Sequence, residues 1–158
     1  MHSGNEARDW LDAADVVRIR DGFARVAANA DGFTADFYAR LFELAPTTRA
    51  LFPDDLTTQR EKLKHMLVML IGSLDRPLQL KPALAALGDR HRSYGVVKAD
   101  FVVVGRALLD TLAAHLGDSF TPADRAAWAD LYGRITAVMT SGTQRNPATA
   151  PALCTASG

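Results

Sequence analysis

The chain has 158 residues, 48% of them apolar, and 18 acidic side chains balance 18 basic ones, so the formal net charge is zero. That suits one globular domain with a full core, and it leaves no basic footprint for nucleic acid or for an anionic membrane surface. The most apolar stretch, Met66 to Leu74, falls well short of the roughly 20 residues a bilayer span requires, and the residues after Met1 lack a secretory pattern, so a cytoplasmic location is expected.

Apolar residues recur at three- and four-residue spacing, with Gly or Pro between the blocks and no strict alternation, which predicts an all-α chain of seven to eight helices. Residues 1–12 are expected to form a flexible lead. A first helix carries Val16, Ile19, Phe23 and Val26 and is expected to end at Asp31-Gly32; a second carries Phe33, Phe37, Leu41 and Leu44 and stops before Pro46. Thr47 to Phe52 reads as a short turn-like helix. Thr58, with Glu61 three residues on, predicts a capping box opening a long helix striped by Leu63, Leu67, Leu70 and Leu74. Gln59 then sits on its first turn, and the helix ends near Asp75-Arg76-Pro77.

A shorter helix is expected from Pro82 to His91, with Gly95 just beyond its end. Val103, Leu108, Leu109, Leu112 and Leu116 lie on the next, closed by Gly117. Thr121-Pro122-Ala123-Asp124 caps a last helix carrying Trp128, Tyr132, Ile135 and Met139. The folded domain is thus expected at 13–141, with a disordered tail at 142–158 that holds the single cysteine, Cys154, a bystander by its surroundings. Unequal helices without a long-period repeat exclude a solenoid and disfavour a four-helix bundle.

Five stretches stand in fixed order: Phe37-Tyr38-Ala39-Arg40-Leu41-Phe42; Leu51-Phe52; Gln59-Arg60-Glu61-Lys62-Leu63; Leu87-Gly88-Asp89-Arg90-His91-Arg92-Ser93-Tyr94-Gly95-Val96; and Ala127-Trp128 with Tyr132-Gly133. In order and spacing they resemble the flavohaemoglobin-like branch of the globins, and within it the single-domain bacterial globins that lack a reductase domain. The resemblance covers Val16 to Met139 and implies a globin fold around haem b, iron protoporphyrin IX. It makes His91 the proximal iron ligand, Phe52 a wedge on the haem, and Tyr38, Gln59 and Leu63 the distal side. Leu87, Val96, Phe101, Val104, Ile135 and Met139 would line the rest, with Arg90 or Arg92 reaching a propionate.

The implied function is reversible binding of O2, and of CO and NO, at a five-coordinate iron, by a monomer or weak homodimer. These residue types suit that chemistry. A neutral imidazole is a haem axial donor. A phenol or amide aimed at the partial negative charge of bound oxygen slows its release.

Two departures bear on the reaction. Family members that act as oxidants commonly hydrogen-bond the proximal imidazole to a glutamate with help from a tyrosine. Here Phe101 stands ten residues after His91, and the stretch where the glutamate would fall reads Thr140-Ser141-Gly142-Thr143. His91 is therefore expected to bond a backbone carbonyl, which weakens the proximal push and favours binding over nitric oxide dioxygenation. Dioxygenation, with a separate reductase, and a gas-sensing module stay as alternatives.

Plainer readings stand beside these. A histidine at a helix end can be a cap, Tyr38 an ordinary core aromatic, and Gln59 a side chain in water. His2, His65 and His115 are assigned no metal.

Overall fold

The computed structural model describes residues 10–93 and 98–141, and at 92, 93, 98, 99 and 141 the backbone alone. Among the described residues every regular element is helical. They are α1 (Ala13–Ala27), α2 (Ala30–Leu44), a 3-10 turn (Pro46–Leu51), α3 (Thr57–Gly72), α4 (Pro77–Ser93), α5 (Lys98–Leu116), a second 3-10 turn (Gly117–Ser119) and α6 (Pro122–Ser141). No strand interrupts this series among those residues, and none of the helices is long and apolar enough to cross a membrane.

The helix limits follow local chemistry, and three differ from expectation. First, α1 stops at Ala27, before Asp31-Gly32. The Asn29 side chain accepts a hydrogen bond from the Gly32 N–H at 3.2 Å and opens α2 instead. Second, the expected Thr58–Glu61 box does not form. Asp55 Oδ1 accepts from the Thr57 N–H at 3.0 Å and from its hydroxyl at 2.7 Å, and Glu61 pairs with Lys64 at 2.9 Å.

Third, α4 begins at Pro77 and runs through Pro82. Pro82 removes one donor, but it is exposed and so is Leu78 four residues earlier, so water can reach the carbonyl left unpaired. The last helix starts as expected: Thr121 Oγ1 accepts from the Asp124 N–H, and Asp124 Oδ2 from the Thr121 N–H, both at 3.1 Å. Gly117, at φ +57°, closes α5 in a backbone region that favours glycine. Gly95 and the tail from Gly142 lie outside the described residues.

Two helix pairs carry the molecule. α2 packs most extensively on α5, α4 packs on α6, and α5 against α6 joins the pairs. Ile19, Leu74, Leu80, Leu84, Leu112, Trp128 and Leu131 form the buried centre. Each large apolar side chain so buried contributes about 1.5–3 kcal/mol.

Arg20 of α1 caps the far end of α3, donating to the carbonyls of Ile71 at 3.1 Å and Gly72 at 3.3 Å, where a helix leaves carbonyls unpaired. Trp10 and Leu11, placed by sequence in the flexible lead, are core residues at 9% and 3% exposure. The Trp10 carbonyl accepts from Arg134 at 2.8 Å.

Candidate haem site

Tyr38 is buried on α2, one position from Phe37, where the helix turns its aromatic face toward α3 and α5. Its ring meets Phe37 edge-on at 5.1 Å, Phe52 edge-on at 5.6 Å and Phe42 at 6.0 Å between centroids. Leu63 of α3 and Val104 of α5 close the same cluster. The hydroxyl interacts with the Gln59 amide, one α3 turn before Leu63. Burial pushes the phenol above its ordinary pKa and the contact with Gln59 partly offsets this, so Tyr38 keeps its proton and is available as a donor.

His91 is half-buried on the last turn of α4. Its Nδ1 lies 2.8 Å from the Leu87 carbonyl, an acceptor only, so Nδ1 carries the proton and Nε2 keeps the lone pair. Burial lowers its pKa, the Leu87 bond opposes this, and Arg90 adds to the lowering; the neutral form is favoured.

Phe101 stacks on the imidazole, with centroids 6.1 Å apart and planes 27° from parallel. Tyr132 of α6 donates to the Phe101 carbonyl at 2.5 Å, and its ring lies over Gly105, where a Cβ would sit 2.6 Å from Cε2. Gly88 lets α4 touch α6 backbone to backbone: a Cβ there would collide with the Met139 main chain.

The structure therefore brings Tyr38, Gln59, Phe52, Leu63 and Val104 to one wall. Leu87, Phe101 and Ile135 pack on the main core, which Leu63 also touches. Arg90 is exposed with an interaction of its own, and Val96 and the Arg92 side chain lie outside the described residues. His65 is exposed and paired with nothing described at this wall, while His115 bonds Asp36 at 2.8 Å on the α2–α5 seam. Gly88, the Tyr132 bond and Arg49 leave no mark in the helical periodicity of the sequence. An arginine shortly before an extended Phe-Pro was the available signal for the last.

The donor set fits a haem. Among the described residues no three His, Cys, Asp or Glu side chains gather where they could hold a bare ion. A single imidazole with a free lone pair suits a metal whose other donors come from a macrocycle.

An all-α fold that carries such a histidine on one helix and a buried aromatic cluster on others is compatible with a helical haem protein. The globin family model matches residues 35–139, well over half of the chain, and takes in Tyr38, Gln59, His91 and Tyr132. The chain belongs to the globin family, whose members bind haem and diatomic gases such as O2.

Proposed function

We propose that this globin binds oxygen reversibly, with His91 as the axial ligand of haem b and Tyr38 and Gln59 as hydrogen-bond donors to the gas. The observation that carries the reading is the burial of Tyr38 in the cluster of Phe52, Leu63 and Val104, with Gln59 one helical turn before Leu63. Two donors on one side of a site can converge on one small acceptor. Haem, when bound, supplies an iron with one open coordination position.

The chain does the rest. His91 offers Nε2 and keeps its proton on Nδ1 through Leu87. Phe52 and Leu63 exclude bulk water, which would promote oxidation of the iron. Leu87, Phe101 and Ile135 supply apolar lining, Val96 is assigned to it by resemblance, and Arg90 is within one turn of His91 for a propionate.

The order of motifs supports a member of the flavohaemoglobin-like branch, and CO and NO are further ligands. A carbonyl is a weaker acceptor than a carboxylate, so the Leu87 bond gives little proximal push and favours binding over oxidation. The test is the visible spectrum of the haem-reconstituted, reduced full chain without oxygen, followed after air is admitted. A five-coordinate ferrous spectrum passing to a persistent oxygenated one is expected. Rapid passage to ferric haem would favour nitric oxide dioxygenation with a separate reductase, and no haem uptake would end the reading.

A further inference from the structure

After the first 3-10 turn the chain runs extended at Phe52, with φ −124° and ψ 154°, and only at Thr57 does a helix resume. Carbonyls in such a loop have no helical partner and need another donor. Arg49 provides it. Nη1 donates to the carbonyls of Phe52 at 3.2 Å and Pro53 at 2.9 Å, and Nη2 to that of Asp54 at 3.0 Å. The guanidinium carbon also lies 5.1 Å from the centre of the Phe42 ring, a cation–π contact. Phe42 and Phe52 touch each other at 5.6 Å, and both lie against Tyr38.

One side chain thus holds the backbone that carries Phe52 and the ring beside it. From this we infer that Arg49 is a positioning residue of the distal wall: it pins Phe52 against Tyr38 and so sets the aim of the Tyr38 hydroxyl. The geometry stands by itself, and the consequence for a gas ligand rests on the function proposed above. A planar fork with several donors is needed, because a lysine keeps the charge but cannot span three carbonyls while lying flat on a ring.

Two measurements test it on the full chain. Amide hydrogen exchange over residues 51–57 of the haem-free protein should speed up about tenfold in Arg49→Ala and stay raised in Arg49→Lys. In the haem-loaded protein Arg49→Ala should speed O2 release by about threefold or more, and that effect should vanish in a Tyr38→Phe background. Unchanged exchange in Arg49→Ala, full recovery by Arg49→Lys, or equal acceleration in both backgrounds would each overturn the inference. Where Arg49→Ala does not fold, Arg49→Gln takes its place under the same criteria. A wild-type chain that takes up no haem ends the gas-binding reading alone, and exchange then decides the role of Arg49.

Discussion

His91 stands on a helix pressed backbone to backbone against its neighbour, with Gly88 of α4 on Met139 of α6, and its ring is set by one carbonyl and one stacked phenylalanine. Tyr38 stands in a cluster drawn from α2, α3, α5 and the loop at Phe52, where side chains meet across helices and the Arg49 fork holds the loop. The first wall is fixed in spacing by a main-chain contact that leaves no room for a side chain. The second is set by the packing of side chains.

The sharpest way to break the comparison is His91→Ala. Loss of stable haem retention is expected, read as Soret absorbance per chain after desalting, and retention equal to wild type would remove His91 as the ligand. Tyr38→Phe tests the second wall. A hydrogen bond to a charged acceptor contributes about 1.5–3 kcal/mol, so O2 release should accelerate by about 10- to 100-fold, with Gln59→Leu giving the smaller change. Unchanged release in both variants would leave Tyr38 and Gln59 as core residues only.

Gly88→Ala should cost about 1–3 kcal/mol in urea unfolding, since the added methyl must push α4 off Met139. An unchanged midpoint would show that the crossing yields.

Tyr132→Phe gives the smallest expected change, about 0.5–1.5 kcal/mol for a neutral hydrogen bond, with a shift in the haem spectrum if Phe101 moves against His91. It also carries a pH signature. Burial raises the folded-state pKa of Tyr132 far above the unfolded value of about 10, so the folded chain holds this proton longer. Its contribution is full below about pH 10 and is lost as pH rises toward the folded value. Wild type should therefore lose stability more steeply above pH 10 than Tyr132→Phe, and parallel alkaline curves would refute the assignment.

Much of the fold was legible because it lies in local periodicity. The stripes at Phe33, Phe37 and Leu41 and at Leu67, Leu70 and Leu74 are buried as their spacing predicts. The caps were less legible. Asn29 and Asp55 compete with neighbouring acceptors for the free N–H groups at a helix start, and only the path of the incoming chain decides which wins.

The candidate site was legible as residue types in order, Tyr38, Phe52, Gln59 and His91. A backbone carbonyl as partner of His91 followed from the missing carboxylate, because a buried Nδ1–H must find an acceptor; the structure identifies it as that of Leu87, one helical turn back.

The sequence by itself determined an all-α globin chain, through apolar spacing and through motifs whose order a chain cannot rearrange. The tertiary structure alone decided where two helices may touch without side chains between them, and which orphan carbonyls Arg49 reaches. Both depend on segments distant in sequence or on a loop without periodicity. Close approach and hydrogen-bond angle are properties of relative position, and no local pattern of residues encodes them.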